Sequence, residues 1–148
     1  ETMGFPLLGA LLDIGSGGGF PALPLAVRHR EMDFTLVESN ARKCVFLREA
    51  AAALRLSRVR VINMRFEEAA KKSALPSPFR AFTMRGVGDT ADILPLLRPL
   101  APPLGGEHAV FVYAKRGHRD ALRASHNLVV EGEKEISENT WLIRARLA

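Results

Sequence analysis

Apolar positions along the chain alternate between two rhythms. Leu7–Ile14 is apolar and runs into a glycine cluster, which reads as a buried strand. Phe20–His29 reads as a helix, with Pro21 tolerated in its first turn. Asp33–Glu38 reads as a second strand. Ser39 or Asn40 can cap the helix that follows over roughly Ala41–Leu56, whose Cys44, Leu47, Ala51 and Leu54 share one face. Arg58–Met64 reads as a third strand and Phe66–Lys72 as a short helix. Ser73–Pro78, with two prolines and two serines, reads as a loop. Arg80–Arg85 reads as a fourth strand, and Thr90–Leu100 as a helix stopped by Pro102 and Pro103. Glu107–Ala114 reads as a fifth strand, and Asn127–Glu135 with Thr140–Arg146 as a strand pair around Ile136–Asn139.

Strands alternating with helices imply βαβ units, hence an α/β fold with a mostly parallel, twisted sheet covered on both faces. The two closing strands have no helix between them and are expected to form an antiparallel C-terminal hairpin at one edge. Ligands of open α/β sheets bind at the carboxyl ends of the strands. The chemistry is therefore expected just after Asp13, Glu38, Met64, Arg85 and Ala114.

Composition narrows this picture. With 148 residues, 47% hydrophobic and 25% charged, the chain is expected to be a single domain with a core of its own. Its formal charge of +5 suggests a polyanionic partner, nucleic acid first. The single cysteine, Cys44, permits no intrachain disulfide and no cysteine-based zinc site. Cys44 lies within a helix face and reads as a small buried apolar residue. The four histidines, His29, His108, His118 and His126, form no short metal-ligand pair, so no metal is expected. The longest apolar stretches, Pro6–Leu12 and Leu94–Leu104, are short or interrupted, so no membrane span is expected. No basic-then-apolar leader opens the chain, and a cytoplasmic monomer is the expectation.

The sharpest local signal is Leu12-Asp13-Ile14-Gly15-Ser16-Gly17-Gly18-Gly19-Phe20-Pro21. Glycines after a first strand let a ligand approach the backbone, and the following helix offers unpaired N–H groups. Two cofactor classes use such a loop. The dinucleotide fingerprint is met only in the offset frame Gly17 to Ala22; from Gly15 its third glycine position is Phe20. That frame keeps an NAD-dependent oxidoreductase as an alternative. The Walker phosphate loop fails, because no Gly-Lys-Ser/Thr follows. Asp13 separates the remaining classes. A carboxylate at the strand tip repels a pyrophosphate but suits a ligand with an ammonium and a sulfonium, as in S-adenosylmethionine. Asp13 with Gly15, Gly17 and Gly19 is thus the pattern of a methyl donor site. Glu38, an acid closing the second strand, can accept both ribose hydroxyl hydrogen bonds of either cofactor.

Leu12–Leu25 resembles the signature of the small-subunit ribosomal RNA methyltransferase G family, also called glucose-inhibited division protein B. The resemblance continues through Thr35–Ser39, Lys43–Glu49, Arg65–Glu68 and Met84–Gly86. It implies a Rossmann-like class I methyltransferase, using S-adenosylmethionine, that methylates N7 of one guanine in 16S ribosomal RNA. By resemblance, Gly15 and Phe20 line the methionine end of the donor and Glu38 holds the ribose. Phe66 and Glu67 face the adenine, and Arg85 sits beside donor and RNA. Some positions depart from the family pattern: Ala22 replaces a usual glycine, Met84-Arg85-Gly86 a usual Ser-Arg-Ala, and Arg80 a frequent Asp. The resemblance also implies a helical segment ahead of Glu1.

Guanine N7 carries a free lone pair, so no general base is required and orientation does most of the work. No catalytic base stands out, and Arg85 and Lys115 are the candidates for orienting the base. The strand-four tip carries no Asn/Asp-Pro-Pro-Tyr/Phe motif, as exocyclic-amine enzymes use. Two basic clusters stand out. Arg28–Arg60 holds eight bases against four acids and fits an exposed helix face. Lys115, Arg116, Arg119 and Arg123, against Asp120 alone, follow the fifth strand on the expected active face. Lys115, Arg116 and Arg119 are therefore candidates for phosphate contacts to ribosomal RNA, with Arg85 beside them. Tyr113 and Trp141 fall in strand patterns and read as core or sheet-face residues. A non-catalytic RNA-binding domain of the same fold is the remaining alternative.

Overall fold

The computed structural model describes residues 9–76, 78–86, 90–103 and 106–148. Seven strands form one sheet in the order β3-β2-β1-β4-β5-β7-β6. They are β1 (Ala10–Ile14), β2 (Asp33–Glu38), β3 (Val59–Asn63), β4 (Ala81–Arg85), β5 (Ala109–Lys115), β6 (Leu128–Ser137) and β7 (Thr140–Leu147). The first five pair in parallel. β7 runs antiparallel to β5 and β6 antiparallel to β7, as the closing strand pair predicts. Leu7 and Leu8 of the expected first strand lie outside the described residues, as does Ser77 of the Ser73–Pro78 loop.

The strands are apolar on both sides because both faces are covered. Leu11, Phe34, Leu36 and Ala81 pack with α1 (Ala22–Arg28) and α2 (Ala41–Ala53) on one face. Leu12, Ile14, Phe82, Met84, Val110 and Val112 pack on the other with α3 (Phe66–Lys71) and α4 (Thr90–Leu97). This alternation carries a consequence for the site. Asp13, between Leu12 and Ile14, points to the α1–α2 side. Its register partner Thr83 and the next same-side residue, Arg85, do so too. Tyr113, the register partner of Arg85, continues the row on β5.

Several expected boundaries shift, β6 for instance running through Ile136 to Ser137, and three of the shifts have a plain physical reason. α1 begins at Ala22 rather than Phe20, because the glycine loop extends to Phe20 and Pro21 occupies the N-cap position. α2 ends at Ala53, so Leu54, expected on the buried face, is the C-cap and 42% exposed. Arg55 then turns at positive φ (53°). The expected helix to Leu100 tightens after Leu97 into a 3-10 turn over Arg98–Leu100. A fifth helix, α5 (Arg116–Ala124), follows β5 where the pattern suggested only a charge cluster; of its residues Leu122 is buried.

Candidate active site

The sheet order reverses direction between β1 and β4. This is the topological switch point at which open α/β sheets bind ligands. The glycine loop fills it. Gly15 and Ser16 donate to the Val37 carbonyl at 2.9 and 3.1 Å, which ties the loop back onto β2. Gly19 lies at φ +86°, and a Cβ there would stand 2.5 Å from Leu23 Cδ1 and 3.0 Å from Leu47 Cδ2. Only glycine lets the loop lie this close to α1 and α2. The other side of the loop is open: a Cβ on Gly17 would meet only the Gly15 carbonyl, at 3.8 Å, and one on Gly18 nothing.

Asp13 lies beneath this loop, 1% exposed. Its Oδ1 accepts a 2.5 Å hydrogen bond from Thr83 Oγ1. Its Oδ2 is buried and has no hydrogen-bond partner. Burial pushes the carboxyl above its ordinary range; hydrogen bonds from Thr83 and Ser16 oppose this, and the Glu38 charge adds to it. A buried carboxylate oxygen without a partner is expensive to keep. A cationic ligand group meeting Oδ2 would relieve that cost, so the carboxylate and the open glycine cradle fit an amino-acid-bearing donor such as S-adenosylmethionine.

Glu38 closes β2 at 7% exposure. Its Oε2 accepts from the Gly17 N–H and its Oε1 from the Asn40 N–H, both at 2.8 Å. Each oxygen keeps a further lone pair for a ligand hydroxyl. Asn63, at the tip of β3, braces this corner by donating to the Glu38 and Ser39 carbonyls at 3.1 and 3.0 Å. Asn40 caps α2 through its side chain, accepting from Lys43 N–H. The Gly17 N–H that a pyrophosphate would need is thus already taken by a carboxylate, which argues against the dinucleotide alternative.

The remaining expected site residues divide. Phe66 stands at the start of α3, but its ring is 5% exposed and belongs to the core, so it offers a ligand only its backbone. Glu67 beside it is exposed. Phe20 is 47% exposed; Arg85 Cζ lies 5.2 Å above its ring centroid, and the Tyr113 ring meets it at 5.9 Å and 68°. Lys115 and Arg116, at the end of β5 and the start of α5, are exposed. Arg116 also lies 5.9 Å from the Trp141 ring. Arg119 is held differently. Its guanidinium lies across Trp141 at 5.0 Å and makes a two-pronged pair with Glu133, which also holds Arg123 at 2.8 Å. That hydrogen-bonded pairing raises the Arg119 pKa and lowers that of Glu133. Thr90 Oγ1 and His118 Nε2, 2.6 Å apart, link the starts of α4 and α5 at the same end of the sheet.

Residue-by-residue reading did not single out Thr83 or Asn63 and took Tyr113 as a core or sheet-face residue. Thr83 carried a weak signal, a hydroxyl inside the apolar run Ala81–Met84; the other two emerge only from strand register. Among the described residues no group of three or more His, Cys, Asp and Glu is placed to hold a metal ion. Among them also, no helix is long and apolar enough to cross a membrane.

The sheet order, the glycine loop after β1 and the acid closing β2 define a Rossmann-like methyltransferase fold. Solved structures agree on that fold. The fibrillarin/Nop5p complex superposes with a TM-score of 0.80 at 12% identity, over 97% of this chain and 75% of that one. M. capricolum TrmK, solved with S-adenosylhomocysteine, gives 0.70 at 17% identity, over 94% and 62%. The model of the rRNA small subunit methyltransferase G family matches residues 6–141, and the chain belongs to that family. The ribosomal RNA small subunit methyltransferase G of Sorangium cellulosum is 36% identical over 90% of this chain and 48% of its own length. That of Clavibacter michiganensis is 34% identical over 97% and 71%. The chain spans about half the length of several curated relatives it matches.

Proposed function

We propose that this chain is the donor-binding and methyl-transferring core of an S-adenosylmethionine-dependent methyltransferase acting on guanine N7 of small-subunit ribosomal RNA. The observation that carries the reading is Asp13: a buried carboxylate with one unpartnered oxygen, under an open glycine loop, at the switch point of the sheet. Asp13 receives the donor's ammonium, with Gly15 and Gly17 forming the cradle. Glu38 takes the ribose hydroxyls on its remaining lone pairs. The backbone at Phe66 and the side chain of Glu67 border the adenine, and Phe20 and Arg85 border the methionine end. When bound, the donor supplies an electrophilic methyl group on a sulfonium.

Guanine N7 enters with its lone pair free, so the chain's task is to orient it and exclude water. Arg85, Lys115 and Arg116 contact RNA phosphates next to the target. Arg119, neutralised by Glu133, holds α5 in place and contributes less charge of its own. A monomeric, cytoplasmic enzyme meeting the ribosomal small subunit is consistent with this reading.

Calorimetry tests it. S-adenosylmethionine and its demethylated product both bind saturably at one site, and Glu38→Ala weakens both at least tenfold. NADH gives no heat. Absence of saturable binding by either donor form overturns the proposal.

A further inference from the structure

Phe20 is unusual among the described aromatic residues. Of these, it alone is both exposed and placed at the carboxyl ends of the strands; Phe46, also exposed, lies on α2. Three separate segments converge on its ring: the loop after β1, the tip of β4 through Arg85, and the tip of β5 through Tyr113. Arg85 and Tyr113 are register partners, so the sheet itself sets their spacing. Asp13 and Thr83 are partners on the same side, one step back from the tips. The aromatic cluster therefore borders the donor loop.

What lies on Phe20 is informative. A guanidinium is a flat cation with delocalised charge. Its place over the ring is where any flat, positively charged heterocycle is favoured. Guanine becomes such a ring when it is methylated at N7. The N7 lone pair forms the new N–C bond, the carbon–sulfur pair returns to sulfur, and the positive charge passes to the purine. Aromatic faces around the base thus stabilise the charge-bearing state more than the neutral one, the difference that lowers a barrier. Burial keeps the Tyr113 phenol above its ordinary pKa, so the ring meets the base uncharged.

We infer that Phe20 and Tyr113 form the seat of the target purine, and that Arg85 occupies this seat until the base enters and then turns to a neighbouring phosphate. The inference rests on the methyltransferase reading. It adds the residues that read the base and the reason they favour its methylated form.

The test uses the chain saturated with S-adenosylhomocysteine, titrated with 7-methylguanosine 5′-monophosphate and with guanosine 5′-monophosphate. The methylated, cationic nucleotide binds about fivefold tighter, the factor a cation over an exposed ring supplies. Phe20→Leu and Tyr113→Leu each bring that ratio close to one. Tyr113→Leu leaves S-adenosylhomocysteine affinity within twofold, which reports an intact fold, and lowers kcat on small subunits about tenfold, the scale of one lost stacking contact. Equal affinities for the two nucleotides, no saturable binding of the methylated one, or a preference that survives both substitutions overturns the inference alone. Failure of S-adenosylhomocysteine to bind the unsubstituted chain overturns the methyltransferase reading and this inference with it.

Discussion

Asp13→Asn separates the two roles that the buried carboxylate plays. Without ligand, Asp13 is a liability: it is 1% exposed, and one oxygen has no partner. Asparagine keeps the acceptor that meets Thr83 Oγ1 and removes the charge. A neutral buried group left unpaired costs about 1–3 kcal/mol and a charged one more, so the variant gains at least about 1 kcal/mol of stability at neutral pH. The gain depends on pH. The folded-state pKa of Asp13 is raised by burial, so the unfolded chain ionises first as pH rises. The wild type therefore loses stability from the ordinary aspartate pKa up to the raised one, and the variant does not. Below that window the two chains differ little. With ligand, the balance inverts. Losing a charge-assisted contact to the donor's ammonium costs about 1.5–3 kcal/mol, or roughly tenfold to 150-fold in Kd. S-adenosylhomocysteine keeps that ammonium, so its affinity falls by the same factor. Urea denaturation at pH 3.5 and pH 7.5, with calorimetry for both donor forms, measures all of this. A variant that is less stable at pH 7.5, or that binds donor as tightly as the wild type, refutes the reasoning.

Two further substitutions probe the loop and the charge. Gly19→Ala places a Cβ 2.5 Å from Leu23 Cδ1 at φ +86°, and backbone strain with overlap destabilises the chain by about 2–4 kcal/mol in urea denaturation; a loss under about 1 kcal/mol would show that the loop can yield. Glu133→Gln releases Arg119 and Arg123 from their shared carboxylate, so binding to a small-subunit RNA fragment becomes steeper in salt by about one to two ions. An unchanged slope in filter binding would mean that neither arginine reaches RNA.

Much of the fold was legible because its causes are local. Five apolar runs with helical patterns between them imply a parallel sheet whichever residues fill it, and the structure builds that sheet from β1 to β5. The glycine loop was legible for a steric reason, since Gly19 has no room for a side chain. What was not legible depends on register. Nothing near Tyr113 in sequence says which sheet face it takes, because Phe111–Ala114 is apolar throughout. Its pairing with Arg85 decides the matter. Phe66 shows a second dependence on tertiary packing. The family resemblance implies that Phe66 faces the adenine, and the short helix α3 uses its ring, with Ala69, as an anchor in the core, leaving the backbone for a ligand. α5 escaped the pattern for a related reason: Leu122 alone among its nine residues is buried, so it has no apolar stripe to read.

Charge shows most clearly how tertiary pairing redefines a sequence signal. Of the four bases after β5, Lys115, Arg116 and Arg119 read alike in sequence as candidates for phosphate contacts. In the fold, Glu133, ten residues beyond Arg123 and on another strand, accepts from both Arg119 and Arg123. An arginine held in this two-pronged way to a carboxylate has little net charge to offer a phosphate. The α5 helix is thereby clamped against β6, which holds Lys115 and Arg116 at the mouth of the site. Trp141 beneath Arg116 and Arg119 gives the same clamp an aromatic floor. On the proposed reading, the positive charge offered to RNA comes mainly from Arg85, at the tip of β4, and from Lys115 and Arg116, at the junction of β5 and α5, while Arg119, Arg123 and Glu133 together keep one net charge. On the same reading, Arg85 covers the Phe20 ring until the base enters, and Lys115 and Arg116, exposed at the β5–α5 junction, meet the phosphates beside that base.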